Sequence, residues 1–345
     1  MKHPLPEFAS DNWSGLCPEA LDYLIRANAG SAPAYGFDEW TAGAADAVRA
    51  LFEHDAEVFF AFNGTAANSM ALAHLCRPYQ AVICHEWSHI ETDECGAPGF
   101  FSHGARLLLG QGRHGKLDPA SADSFLGGEG DLRFPRPAAL SLTQSTEVGT
   151  VYSVEELTRL CTWAKAHGLA VHVDGARFMN AVVALGVSPA ALSWRCGVDV
   201  LSLGASKTGG GIGDTVVFFD RDLARGFDYR CKQGGQLAAK MRFMTAPLLG
   251  LIETGAWQRN ARHANDCAAY LIRRLAEYAI EPAFPPQANA VFIALSAAEA
   301  AALRERGWAF YVSQCHGAAR FMCGWDTTPE RIDALVAALR ACRAR

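Results

Sequence analysis

Long apolar runs, basic blocks and paired cysteines are what this 345-residue sequence lacks. No uninterrupted apolar stretch approaches the roughly 20 residues of a membrane-spanning helix. The opening M-K-H-P-L-P-E-F has no apolar core of the kind that marks a secretory leader. No Lys/Arg block or basic tail occurs and the net charge is −5, so composition gives no footing for nucleic acid or an anionic membrane. The 11 cysteines run from Cys17 to Cys342 without a C-x-x-C pair, which argues against a zinc ribbon or thioredoxin-like centre. Several (Cys76, Cys84, Cys161) sit in apolar stretches, where cysteine behaves as a small hydrophobe. The set reads as reduced thiols in a cytoplasmic protein. Internal repeats and low-complexity tracts are absent as well.

Present instead is ample core material, with 50% hydrophobic and 19% charged residues, on a chain long enough for two domains. The most informative stretch runs from Ala170 to Gly211. Two short runs rich in β-branched residues, Leu169–Val173 and Val198–Leu203, read as buried parallel strands. Asp174 follows the first, and Lys207 follows the second after Gly204, Ala205 and Ser206. Ligands of open α/β sheets collect at the carboxyl ends of strands, so both residues are placed to face one crevice. An ordinary buried ion pair of Asp174 with Lys207 or Arg177 is the competing reading. The small residues before the lysine leave room for a bulky ligand, and pyridoxal phosphate needs this pair: a lysine for a Schiff base and a carboxylate at its ring nitrogen.

Along the rest of the chain, Ser10, Asp11 and Asn12 either cap a first helix over Pro18–Asn28 or turn inward to a site. Tyr35 ends a loop as Ala34-Tyr35-Gly36, where it packs or reaches a ligand. Glu39–Phe52 has helical spacing, and Glu57–Phe62 is a strand that runs through Asn63-Gly64-Thr65 into a helix. Such a helix start offers amide hydrogens to a phosphate, although most N-G-T sequences are ordinary turns. After a strand at Ala81–Cys84, His85 and His89 are spaced to share a helix face, but a zincin glutamate spacing and a third ligand are missing. A surface hydrogen bond suits His85, and His89 suits a position flat over a planar ring. Ala138–Leu142 is a further strand, and Glu147 beyond it is either an acid–base group or a solvated loop charge. Ser153–His167 is a helix with an S-x-x-E capping box to Glu156, closed by Gly168. Thr215–Phe219 is one more strand, and Arg221–Arg262 is mostly helical, with a basic turn at Tyr229–Gly235. This alternation predicts an α/β fold with a mostly parallel sheet flanked by helices. Short strands near Ala290–Leu295 and Ala319–Cys323, and a helix at Pro329–Arg343, predict a smaller α+β C-terminal domain. The expected division is 1–260, an N-terminal arm and large domain, and 261–345.

Taken together, F-A-S-D-N, A-Y-G, F-N-G-T-A-A-N, S-H-I-E-T-D-E-C-G-A-P, T-Q-S-T-E-V-G-T-V-Y, V-H-V-D-G-A-R-F, S-K-T-G, D-Y-R-C-K-Q and G-A-A-R-F-M-C-G-W-D resemble, in this order, the low-specificity L-threonine aldolases. These belong to the fold-type-I, aspartate aminotransferase-like class of pyridoxal phosphate enzymes. The resemblance covers nearly the whole chain. It implies cleavage of β-hydroxy-α-amino acids to glycine and an aldehyde, with an aminotransferase, a β-eliminating lyase or a non-catalytic homologue as alternatives. By position it implies Lys207 as the Schiff-base lysine, Asp174 at the ring nitrogen, His89 over the ring, and Gly64 and Thr65 at the phosphate. It further implies Ser10, Arg177 and Arg320 near the substrate carboxylate, Tyr35 lining the pocket, and Lys232 reaching the phosphate of a neighbouring subunit in a homotetramer. Many members carry a histidine where this chain has Glu147, which leaves His89, Glu147 or a held water as the base. The S-K-T-G-G-G run is richer in glycine than the family's lysine loop, for no reason visible in the sequence.

Overall fold

Seven of the short runs assemble into one sheet: β1 (Glu57–Ala61), β2 (Gln80–His85), β3 (Arg106–Gly110), β4 (Arg136–Thr143), β5 (Ala170–Gly175), β6 (Val200–Gly204) and β7 (Asp214–Phe218). The computed structural model describes residues 7–128 and 131–343; residues 1–6, most of the opening read above for a leader, lie outside them. The strand order is β1-β7-β6-β5-β4-β2-β3. β3, β2, β4, β5 and β6 run parallel, whereas β7 is antiparallel to both β6 and β1. The expected mostly parallel sheet is therefore present with one reversed strand. Residues 205–213 between β6 and β7 are too few for the crossover of a dozen or more residues that a parallel return needs.

The central strands carry two kinds of residue on their two faces. Val171 and Val173 of β5 and Leu201 and Leu203 of β6 are buried in the larger core, with Phe52 and Phe178 among the side chains packed there. On the opposite face His172 joins Ser141 of β4 and Ser202 of β6, each 3.0 Å from a ring nitrogen. Burial pushes the His172 imidazole down to about 4, so this row is neutral. It leads directly to Asp174, two residues on and on the same face. The Val154–Ala166 helix that precedes β5 has the expected capping box between Ser153 and Glu156, and Gly168 follows at φ +67°.

A second sheet, in the order β8-β10-β9, is antiparallel: β8 (Ala290–Ile293), β9 (Tyr311–Val312) and β10 (Ala319–Met322). Its core holds Leu271, Phe321 and Leu335, and also Phe8 from the arm. Phe8 N–H donates to the Ala309 carbonyl, and the Phe8 carbonyl accepts from Met322 N–H. The arm, expected with the large domain, is thus stitched to the small sheet. The Ala256–Ala276 helix runs through the expected boundary, with Trp257 and Ala261 in the first core and Cys267 and Leu271 in the second. Two local expectations change. The first helix, Pro18–Ala27, has Cys17 at its N-cap with no side-chain cap; Asp11 instead turns inward and Asn12 lies at the cavity wall. Tyr229–Lys232 lie on a helix, Phe227–Gln233, and not in a turn.

Candidate active site

Because β5 and β6 are parallel neighbours, with Asp174 beside Ser202 and Gly175 beside Leu203, their carboxyl ends open on the same side. A cavity of about 410 Å³ lies there, with Asp174, Arg177 and Lys207 in its wall. Gly64 and Thr65 enter from the end of β1, and His89 and Glu147 from the loops after β2 and β4. Ser10, Tyr35, Lys232 and Arg320 stand outside this wall as a single chain forms it.

Lys207 sits on a one-turn 3₁₀ helix, Ser206–Thr208. Burial lowers its pKa, and the nearby Arg177 charge lowers it further, against Asp11, Asp174 and Asp214. The effect is to favour the neutral amine, the nucleophilic form. The glycine run after it now has a reason. A Cβ on Gly209 would stand 2.9 Å from Cys17 Cβ, one on Gly210 2.7 Å from the Ala205 carbonyl oxygen, and one on Gly211 3.0 Å from Pro247 Cγ. The lysine loop threads between the first helix and the Arg242–Glu253 helix with no space for a methyl group at those positions.

Asp174 is buried, which raises a carboxyl pKa, yet His89, the Ala176 N–H and Lys207 outweigh burial and bring the net value below the usual range. It is therefore an ionised carboxylate in the cavity wall. Opposite it begins the Gly64–Leu75 helix, capped by Asn63, whose side chain accepts from Ala66 N–H while its carbonyl accepts from Ala67 N–H. The amides of Gly64 and Thr65 precede these and face the end of the helix dipole where an anion binds. Asp214 lies across this helix start: a Cβ on Gly64 would come 3.2 Å from its Oδ2. Burial pushes Asp214 up to about 6, with Lys207 opposing, and Ala205 N–H donates to its Oδ1 at 3.3 Å.

His85 and His89 do not share a helix face. His85 ends β2 and is buried, accepting Trp87 N–H at Nδ1 with Nε2 3.2 Å from the Gly112 carbonyl, so it is a core and not a surface histidine. His89 begins the His89–Thr92 turn, and its backbone N–H donates to Glu147 Oε1 at 2.8 Å. The Thr143 hydroxyl donates to the same oxygen at 2.7 Å. Glu147 Oε2 is buried with no hydrogen-bond partner among the described residues. Burial pushes this carboxyl up to about 7, so Glu147 is not a solvated loop charge but a proton-carrying group in the cavity wall.

Arg177 gives Nε and Nη2 to the two oxygens of Asp11, both at 2.8 Å, and Asn289 Nδ2 donates to Asp11 Oδ2 at 3.0 Å. Burial raises the Asp11 carboxyl, but the Arg177 and Lys207 charges outweigh it and hold the group low. The arm, the turn after β5 and the residue before β8 are joined by this one carboxylate. Ser10 Oγ accepts Asn12 N–H at 3.2 Å, which shapes the turn that carries Asp11 inward. Arg320, on β10, donates Nη2 to the Ala9 carbonyl, and its buried Nε has no partner among the described residues. Burial and the like charge of Arg177 push Arg320 down to about 10. Two neighbouring guanidinium groups with an unmet donor are what an absent carboxylate would complete.

Asn68, Glu94, Asp214 and Asn289 are site residues given no role in the sequence reading, which names Asp11 only as a cap or an inward turn. Asn68 stands one turn after Gly64 on the same helix, a spacing that puts it on the same face and was available as a signal. The others meet the site only through the tertiary fold.

The sequence model of the β-eliminating lyase family matches residues 7–298. A low specificity L-threonine aldolase from Pseudomonas aeruginosa is 54% identical over 335 residues, covering 97% of each chain. One from another Pseudomonas species is 52% identical over 336 residues, again covering 97% of each. Among solved structures, a threonine aldolase from Leishmania major superposes with a TM-score of 0.91 at 29% identity, over 98% of this chain and 99% of that one. With a family match over most of its length, and relatives identical at more than half of their positions, this chain belongs to the β-eliminating lyase family.

Proposed function

We infer that this chain is a pyridoxal phosphate-dependent aldolase that cleaves L-threonine, L-allo-threonine and related β-hydroxy-α-amino acids, reversibly, to glycine and an aldehyde. The observation that carries this reading is the convergence of a half-buried lysine whose pKa is lowered by desolvation, a buried ionised aspartate and an open helix N-terminus on one cavity. These donors fit the cofactor part by part. Gly64 and Thr65 would hold its phosphate and Asp174 its ring nitrogen, Lys207 Nζ would be its point of attachment, and His89 would lie along the ring. When bound, pyridoxal phosphate supplies the electron sink that accepts the pair released as Cα–Cβ breaks.

The remaining residues choose the bond and move the proton. Arg320, together with the end of Arg177 not engaged by Asp11, holds the substrate carboxylate. A planar fork gripping both oxygens fixes the rotation about Cα–N and so presents Cα–Cβ for cleavage. Ser10 and Tyr35 line the substrate end. Glu147 accepts the β-hydroxyl proton through Oε2, and the aldehyde leaves. Arg320→Lys is expected to raise KM and lower kcat together, roughly tenfold or more each, because one ammonium cannot hold both oxygens in that geometry. Cofactor absorbance should stay intact; wild-type kinetics with intact absorbance would remove Arg320 from the site.

Glu147 gives a pH signature. A base must be ionised, so kcat/KM should rise as pH increases through about 7, where burial holds this carboxyl. Glu147→Gln should lose that limb and lower turnover by roughly 10²- to 10⁴-fold. Stability moves the other way. The fold binds this proton more tightly than the unfolded chain, whose value lies near 4.5. The stabilising contribution is full below about 4.5 and is lost as pH rises through about 7. Melting curves across that window should fall more steeply for wild type than for Glu147→Gln.

The homotetramer and the cytoplasmic setting are part of the same proposal. Phe62 (52% exposed) and Ile212 (61%) sit on the rim of the cavity, and Phe37 is 83% exposed. Apolar side chains of this size suit burial against another subunit. Lys232 is exposed, with Nζ 4.7 Å from the centre of the exposed Tyr35 ring, and this supports its reaching a neighbour's phosphate. All 11 cysteines are free thiols, as a reducing compartment favours. Light scattering should give a mass above that of a dimer; a fully active monomer would contradict shared sites.

A further inference from the structure

Glu94 lies just beyond the His89–Thr92 turn, and its side chain is shut off from solvent. Its Oε1 is 2.8 Å from His89 Nδ1 and accepts Asn68 Nδ2 at 2.9 Å, while Oε2 accepts the Ser69 hydroxyl at 3.4 Å. The same Asn68 nitrogen donates its second hydrogen to Asp174 Oδ2 at 2.7 Å. Reversing the amide would turn its oxygen towards two carboxylates, so the donor end belongs between them. An ionised carboxylate only accepts, so His89 carries its hydrogen on Nδ1 and Nε2 is the nitrogen left for the pocket.

We propose that Glu94 is a positioning residue that fixes the tautomer and ring plane of His89, and that Asn68 pins Glu94 by tying it to Asp174. The inference rests on the reading of His89 as the residue along the cofactor ring. Its physical logic is that of a histidine oriented by a carboxylate behind it. Without a partner, rotation about the His89 side-chain bonds leaves its ring plane unfixed, and the side chain is 42% exposed. The buried Glu94 carboxylate is a directional acceptor for the Nδ1 hydrogen in both the neutral and the charged imidazole: it fixes the tautomer of the neutral ring and also favours the charged one. Burial lowers the His89 pKa, but Glu94 and Asp174 outweigh it and raise the net value. Asn68 separates the two carboxylates with a donor for each, so the group at the ring nitrogen and the group along the ring share one scaffold on the Gly64–Leu75 helix.

The test uses the holoenzyme and the variants Glu94→Ala, Glu94→Gln and His89→Asn, with melting curves to confirm folding. Glu94→Ala should weaken cofactor retention and lower kcat by roughly tenfold to 100-fold, the scale of one charge-assisted hydrogen bond. In a His89→Asn background the same change should cost almost nothing further, because Glu94 acts through His89. Glu94→Gln keeps an acceptor but loses the charge. The His89 ring signal, assigned by its absence in His89→Asn, should then titrate at lower pH while cofactor retention is largely kept. Should Glu94→Ala fail to fold, this near-isosteric variant carries the test alone. Equal costs of Glu94→Ala in both backgrounds, or an unchanged His89 titration in Glu94→Gln, would overturn the proposal. A neutral His89→Asn would overturn the reading of His89 itself and the proposal with it.

Discussion

Lys207→Ala is expected to lose turnover by roughly 10⁴-fold or more, the scale on which removing a covalent catalyst acts. The residue is half-buried in the turn just beyond the carboxyl end of β6, where desolvation and the Arg177 charge lower its pKa. Asp11, Asp174 and Asp214 attract its charge, but the amine makes no salt bridge among the described residues that would offset the cost of desolvating it. The fold should survive the change, since alanine removes a desolvated group and suits a short loop. Borohydride treatment of the wild type should fix the cofactor's mass on the Lys207 peptide and on no other. In Lys207→Ala that mass should be absent while circular dichroism is unchanged. Labelling at another lysine, or substantial turnover without Lys207, would refute its role.

Asp174→Ala should follow with a loss of roughly 100-fold or more, as expected of removing a preorganised, buried charge. Three neighbours define what this carboxylate does. Ala176 N–H donates to Oδ1 at 3.0 Å, Asn68 to Oδ2 at 2.7 Å, and the His89 charge stabilises the ionised form. Without it the ring nitrogen has no anion to keep it protonated, so the electron sink weakens. Asn68 also loses one of its two acceptors, so Asp174→Asn, which keeps the shape, separates charge from packing. Both variants should retain the fold and bind cofactor while turning over slowly. Near-normal kcat in Asp174→Asn would show that the charge is dispensable.

Much of this site was legible because its chemistry sits where strands end. β5 and β6 are short apolar runs whose last residues are small, so Asp174 and Lys207 are conspicuous, and N-G-T after β1 marks a helix start. The reversal of β7 also follows from the nine residues, 205–213, that separate it from β6. What the sequence hides is partnership across distance. Asp11 and Arg177 are 166 residues apart, and Asn68 and Asp174 are 106 apart, with no periodicity linking either pair. Burial is hidden as well. Glu147 stands in a loop of polar and small residues that suits an acid–base group or a solvated charge equally, and only the fold shows a desolvated carboxyl with one oxygen unmet. The glycine run after Lys207 belongs with these, since its cause is the close approach of Cys17, Ala205 and Pro247.

The most direct test is to add L-threonine to the purified protein with pyridoxal phosphate and identify every product. Carbon–carbon cleavage predicts glycine and acetaldehyde in equal amounts, dependent on the cofactor and absent in Lys207→Ala. Formation of 2-oxobutanoate and ammonia instead, or no consumption of threonine or any other β-hydroxy-α-amino acid by cofactor-loaded protein, would contradict it.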